Sequence, residues 1–299
     1  MPETEMVDDT LRQRAIALYD RFTHDGMDRR AFFAELSRIA GGAAAANLLL
    51  AGIAANPAAA ALTAPDDPGV TAKRVRWKVA PGRMLAGYRA MPSGTPAGPL
   101  PLVMVIHENR GLNPHIEDIA RRLALAGFIA LAPDFLSARG GTPKNEDRAR
   151  TLIGQLDLGR TTADAVATVL MLSKDPAGNG KVGAVGFCWG GALTDRVAVA
   201  AGGSLRAAVS YYGPAPDPAE AAKVKAAMML HYAGLDDRVN ATARPWVEAL
   251  RAAHVRYESY LYPNVNHAFN NDTAPDRYNA EAAKLAWDRT IRFLKTQLA

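Results

Sequence analysis

The sequence predicts an α/β protein with a mostly parallel central sheet, helices on both faces and a helical arm at its N-terminus. Two observations carry this. Apolar runs of strand length, such as LVMVI at 102–106, are continuous rather than alternating, as in strands buried on both faces. They recur between segments of helical length, and that alternation implies right-handed crossovers with helices covering both sides of the sheet. With 299 residues, 49% of them hydrophobic, the chain can bury one large core.

Residues 9–40 are patterned as helix, with Leu11, Ile16, Leu18, Tyr19 and Phe22 before a break at Gly26, then Phe32, Phe33, Leu36 and Ile39. The Ala- and Leu-rich stretch 41–61 is interrupted by Asn47, Asn56 and Pro57, so no stable membrane span is expected. Arg29-Arg30 before Ala31-Phe32-Phe33, with small residues at 58–61, also fit a twin-arginine export signal, but Glu35 and Arg38 fall inside its would-be apolar region. We read 1–65 as a retained arm that packs its Phe and Leu side chains on a catalytic domain at 66–299. A cytoplasmic location is expected, with export to the periplasm as the alternative.

After the polar linker 63–69, edge strands are expected at 75–79 and 84–90 around the turn signal Pro81-Gly82. Further strands fit 102–106, 128–131, 181–187, 207–211, 227–232 and 257–262, with helices at 114–126, before Lys174, from about Ala192, and at 279–298. A site belongs in the loops at the carboxyl ends of such strands.

The net charge of +5 comes from the part after residue 65, with 29 Lys and Arg against 22 Asp and Glu. No basic run interleaved with aromatics occurs there, so the excess reads as solvated surface and nucleic acid is not an expected partner. The only cysteine is Cys188, which excludes an internal disulfide and a Cys-clustered zinc site. His107, His115, His231 and His267 lack a short ligand spacing; neither a metal nor another cofactor is expected.

Cys188 sits in Gly186-Phe187-Cys188-Trp189-Gly190-Gly191, between an apolar strand and a helix. This is a nucleophile elbow of the α/β-hydrolase fold with cysteine in place of serine. The helix N-terminus favours a thiolate, and the Trp189 N–H can meet a developing oxyanion. A buried structural cysteine in a Gly-rich turn is the competing reading. Asp236-Asp237 and His267 each follow a predicted strand, in the order nucleophile, acid, histidine. Such a histidine takes the thiol proton and returns it to the leaving group, while the acid fixes its tautomer. Either aspartate can instead cap the next helix. A sulfur-to-imidazole distance of about 4 Å is expected for a resting pair.

The chain resembles the dienelactone hydrolases, or carboxymethylenebutenolidases, over residues 70–299. The resemblance rests on His107-Glu108-Asn109-Arg110-Gly111-Leu112, Ala132-Pro133-Asp134, Gly180-Lys181-Val182-Gly183, the Cys188 elbow, Tyr211-Tyr212-Gly213, Gly234-Leu235-Asp236 and Tyr262-Pro263-Asn264-Val265-Asn266-His267. It looks closest to a bacterial branch with an N-terminal helical extension. The resemblance implies ester or lactone hydrolysis through an acyl-enzyme, with Cys188 as nucleophile, His267 as base and Asp236 rather than Asp237 as orienting acid. It further implies Glu108 as a partner that controls the cysteine's ionisation, and Asn109 as second oxyanion donor beside Trp189. An acid directly after the buried run 102–106 should be partly desolvated, which suits proton exchange; a salt bridge to Arg110 or Arg121 is its structural alternative.

One departure concerns substrate. The family holds a substrate carboxylate with arginines, one just after the catalytic histidine, whereas here Ala268-Phe269-Asn270-Asn271-Asp272 contains none. Arg148, Arg150 and Arg277 lie near in sequence and are the candidates to substitute, with surface solvation their expected role. A general carboxylesterase or thioesterase of the same fold is therefore the alternative function, and a non-catalytic small-ligand binder a further one.

Overall fold

A computed structural model of the chain describes residues 2–54 and 62–299. The expected export-cleavage residues 58–61 lie outside the described residues.

The arm is three helices, α1 (Pro2–His24), α2 (Arg29–Ala40) and α3 (Ala43–Ile53). Asp28 caps α2 by accepting from the backbone N–H groups of Arg30 and Ala31, and Gly41, at φ 79°, ends it. Arg29-Arg30 thus form the first turn of a capped helix. Ile16, Leu18, Tyr19 and Phe22 of α1 bury themselves against Phe32 and Leu36 of α2 and Ala46 and Ile53 of α3. Phe32 stacks on Phe22 with ring centroids 4.3 Å apart. This corrects the expectation that the Phe and Leu side chains of the arm pack on the catalytic domain, because they satisfy one another first. Among the described residues no single helix is long and apolar enough to cross a membrane, and α2 and α3 are bent by 106°.

Eight strands form one sheet: β1 (Val70–Ala80), β2 (Arg83–Pro92), β3 (Leu100–Ile106), β4 (Ile129–Asp134), β5 (Gly178–Phe187), β6 (Ala207–Tyr211), β7 (Ala227–Ala233) and β8 (Tyr257–Tyr262). Their order is β1-β2-β4-β3-β5-β6-β7-β8. The β1–β2 and β2–β4 pairs are antiparallel, and the rest are parallel. Only β1 of the first hairpin is an edge; β2 is internal, paired on both sides, and both strands run longer than the apolar residues alone suggested.

The continuous run in β3 has the predicted cause. Val103 and Val105 enter the core under α4 (Pro114–Leu125) and the helix Ala280–Leu298, whereas Leu102, Met104 and Ile106 enter the opposite core. That second core is covered by the helices Leu158–Leu172, Trp189–Ala200 and Asp237–Ala252. The intervening helix Glu146–Gly154 is α5, so these three are α6, α7 and α8, and Ala280–Leu298 is α9. Parallel strands aim their carboxyl ends at one rim, where Cys188, Asp236 and His267 follow β5, β7 and β8.

Candidate active site

Cys188 stands between β5 and α7 with φ 55° and ψ −115°, a strained backbone for a residue with a side chain. The turn closes only because two neighbours lack side chains. A Cβ on Gly186 would stand 2.0 Å from the Gly190 carbonyl oxygen, and one on Gly190 would stand 2.3 Å from that of Ile106. Gly190→Ala is therefore expected to cost roughly 3 kcal/mol of stability, since the obstacle is backbone rather than a side chain that can turn away. Urea unfolding of the variant measures this; a cost below about 1 kcal/mol would mean that the elbow is looser than its geometry requires.

Two further residues at positive φ, Tyr212 (40°) and Ala268 (64°), flank the same site. The Cys188 N–H is fixed by the Tyr211 carbonyl at 2.9 Å. Trp189 opens α7 one turn earlier than the sequence suggested, so its N–H has no acceptor within that helix.

Asp236 uses both carboxylate oxygens. Oδ1 accepts from the Val239 N–H at 3.1 Å, capping α8, and Oδ2 accepts from His267 Nδ1 at 2.5 Å. The cap and the histidine contact, alternatives in sequence, are one side chain's work, while Asp237 is exposed. Burial alone would lower the His267 pKa, but the Asp236 carboxylate and Cys188 more than reverse this and hold it well above the ordinary histidine value. Asp236 is held below the usual carboxylate range, its burial outweighed by His267.

His267 is 2% exposed and its Nε2 has no hydrogen-bond partner. Sγ and a ring nitrogen of His267 lie within 4.8 Å of each other, in one pocket. A histidine from the arm joins them: His24 Nε2 stands 4.0 Å from Sγ, and the His24 ring meets that of His267 edge-on at 4.9 Å. Burial, then the neighbouring His267 and the arginines 238, 277 and 110, push the His24 pKa well down.

Glu108 lines the same cavity and is buried. Its carboxylate accepts from Asn271 Nδ2 at 2.8 Å and from the Tyr212 hydroxyl at 3.4 Å. Neither arginine offered by the sequence pairs with it: Arg110 faces Glu146 and Asp147, and Arg121 faces Asp118. Asn109 lines the cavity as well and donates its side-chain amide to the Thr23 carbonyl at 3.4 Å.

The arm closes this site. Tyr19, Thr23 and His24 form its roof over Cys188, His267 and Glu108, and the remaining space is about 20 Å³, room for roughly one water. Arg110 donates to the Tyr19 hydroxyl at 2.6 Å, Arg150 to the Phe22 carbonyl at 2.9 Å and Arg277 to the Ile53 carbonyl at 2.8 Å. Arg150 and Arg277 are thus not surface groups, contrary to expectation: the first is half-buried against the arm, and the second is 8% exposed within the site. Arg148 is exposed.

The four histidines weighed as metal ligands do not meet as a group. His107 is held by the Glu108 carbonyl and stacks on Trp189, His115 pairs with Asp272, and His231 bonds Tyr262 and Thr290. Among the described residues, the donor set that does converge is His24, Cys188 and His267. Sequence gave no sign of His24, which lies 164 residues from Cys188 on an element with its own core.

Residues 85–298 match the sequence model of the Dienelactone hydrolase family. The chain belongs to that family. An Escherichia coli O157:H7 protein named "Putative carboxymethylenebutenolidase" is 34% identical over 72% of this chain and 83% of its own length. A protein of the same name from Methylorubrum extorquens is 33% identical over 79% and 85%. Among solved structures, a dienelactone hydrolase-like promiscuous phosphotriesterase from metagenomic libraries aligns with TM-score 0.66 and 25% identity, over 77% of this chain and all of its own. The catalytic portion of this family member is an α/β-hydrolase fold. The family match begins after the arm, so Tyr19, Thr23 and His24 fall outside it.

Proposed function

We propose that the chain hydrolyses a small carboxylic ester or lactone through an acyl-enzyme on Cys188. The observation that carries this is the Asp236–His267 bond, which leaves Nε2 unpartnered beside a sulfur at the head of α7. The thiolate attacks the carbonyl carbon, and the carbonyl electrons move onto oxygen, where the N–H groups of Trp189 and Asn109 receive them. When the C–O bond to the leaving alcohol breaks, imidazolium His267 supplies its proton. Neutral His267 then takes a proton from water as its oxygen attacks the thioester; the C–S bond breaks and the thiolate–imidazolium pair returns.

The charge of Arg110 is offset by Glu146 and Asp147, whereas Arg277 makes no ion pair among the described residues and brings positive charge to the cavity. This favours a substrate that carries a carboxylate over a neutral ester or thioester. A panel of neutral and carboxylate-bearing esters and lactones, assayed with the full chain and Cys188→Ala, tests the reading. Hydrolysis retained by the variant would sink it.

Glu108 is positioned by Asn271 and Tyr212 to exchange a proton with the cysteine as substrate enters. Glu108→Gln keeps both hydrogen bonds in shape and is expected to lower acylation about 10²-fold with little change in Tm. An unchanged kcat/KM would remove Glu108 from the mechanism.

The arm is retained in this reading and the chain is cytoplasmic. Burial of Phe32 and Leu36 and the ion pair of Arg29 with Asp147 support retention, because export would need this helix unfolded. Mass measurement of the protein from the native host is expected to find residues 1–65 still attached, and a species beginning near residue 60 would mean export.

A further inference from the structure

We propose that His24, Cys188 and His267 form a binding site for a thiophilic divalent cation, Zn²⁺ foremost, which fastens the arm over the active site. Thiolate and imidazole are the donors such an ion prefers, and one atom from each of the three side chains lies within 4.8 Å of the other two. Zn–S bonds of about 2.3 Å and Zn–N bonds of about 2.0 Å need ligand atoms roughly 3.3–3.6 Å apart. His24 Nε2 and Sγ, 4.0 Å apart, need to approach by less than an ångström to meet that requirement.

Two features of His267, both shared with the proposed catalytic pair, and the space beside it suit a ligand here. His267 Nε2 is a buried nitrogen with no partner. Its Nδ1 already donates to Asp236, the carboxylate–histidine arrangement that fixes the tautomer of metal-ligating histidines. The space left beneath the arm holds roughly one water, which is what a fourth coordination position requires. Charge is compatible: the ion and the thiolate together leave one positive charge, faced by Glu108 in the same cavity and by Asp236 behind His267. Arg110 and Arg277 oppose it, so affinity depends on the thiolate rather than on the field of the cavity.

The binding step releases one proton, because the thiol–imidazole pair carries one that both donors must lose. Cys188 and His267 are the pair assigned above to hydrolysis, so occupancy blocks attack on substrate. The contribution from His24 makes the ion a clasp between arm and catalytic domain. This inference uses the geometry of the proposed catalytic pair, but it does not require that pair to hydrolyse anything.

The full chain, stripped with chelator and kept reduced, is titrated with Co²⁺ as a spectroscopic stand-in and then with Zn²⁺ against a chelating dye. One equivalent of Co²⁺ is expected to give a thiolate charge-transfer band together with tetrahedral visible bands. Cys188→Ala and His267→Ala should abolish these, and His24→Ala should weaken Zn²⁺ binding at least about 10-fold. His24 is half-buried on a helix held by other residues, so that variant remains informative if the other two unfold. No thiolate band at one equivalent, or the same spectrum and affinity in His24→Ala, overturns the proposal. Loss of ester hydrolysis in every assay with the cobalt spectrum intact would refute the hydrolytic reading and leave the metal site standing.

Discussion

Cys188→Ala is expected to lower kcat/KM for the best ester or lactone by about 10⁴-fold or more, to a residue set by binding and oxyanion contacts alone. His267→Ala should fall as far, and the double variant no further, because a nucleophile and its base act as one unit. Asp236→Asn separates orientation from presence. Its Oδ1 can still accept from the Val239 N–H, so α8 keeps its cap. Its amide would then face the Nδ1–H of His267 donor to donor, which turns the imidazole to the wrong tautomer. A loss of about 10⁴-fold in kcat with near-native circular dichroism is expected. A loss below tenfold would show that some other group orients His267.

The same variant has a pH signature. Asp236 is depressed and His267 raised in the folded state, so their pairing adds stability above the ordinary carboxylate pKa and below the raised imidazole pKa. That gain should be full between roughly pH 5 and 6.5, lost as pH rises through the raised pKa of His267, and lost as pH falls through the depressed pKa of Asp236. Urea unfolding of wild type and Asp236→Asn from about pH 3 to about pH 9, on both sides of this plateau, measures it. A stability difference independent of pH would contradict the pairing.

Tyr19→Ala is expected to speed iodoacetamide labelling of Cys188 roughly 10²-fold. The side chain accounts for much of the hold of the arm: its hydroxyl accepts from Arg110 at 2.6 Å, and its ring lies under the Arg277 guanidinium and edge-on to Phe32. Truncating such an aromatic costs about 3–5 kcal/mol in a core, and part of that suffices to raise the open population a hundredfold. Since the space left beneath the arm is only about 20 Å³, a bulky ester is expected to need α1 to lift, and the same variant should turn over bulky esters that the wild type refuses. Unchanged labelling would mean that reagents reach the sulfur by another route.

Acid should loosen the arm in the same way. The pKa of His24 is depressed only while it is enclosed among His267, Arg238, Arg277 and Arg110, so the lifted arm binds more protons. Closure therefore weakens as pH falls below about 6.5. Protection factors in α1, which divide out the intrinsic pH dependence of amide exchange, should be lower at pH 5.5 than at 7.5 in the wild type, and the difference should shrink in His24→Gln.

How much of this was legible in the chain depends on the range of the interaction. The parallel strands and the helices after them were readable because burial on both faces forces continuous apolar runs, as in β3. Strand ends and the internal place of β2 were not, since Arg83, Arg89 and Pro92 belong to the strand through pairing, not through hydrophobicity. Cys188 was conspicuous because an elbow needs glycine at two fixed offsets, a purely local constraint. Asp236 and His267 were placed by following strand ends, and their contact is what the sheet adds by bringing the ends of β7 and β8 side by side.

The sequence by itself determined the α/β framework and the elbow, through periodicity and local spacing, and the order nucleophile, acid, histidine after successive strands; Asp236 over Asp237 and the roles of Glu108 and Asn109 came only with the resemblance to the dienelactone hydrolases. Only the tertiary structure decided that the arm roofs the site, that Arg110 and Arg277 turn inward, and that His24 meets the sulfur. The physical reason is that α1 buries its apolar face within the arm and meets the catalytic domain through polar groups. Contacts of that kind, between residues 86 or more positions apart, leave no pattern along the chain and exist only once both surfaces are folded.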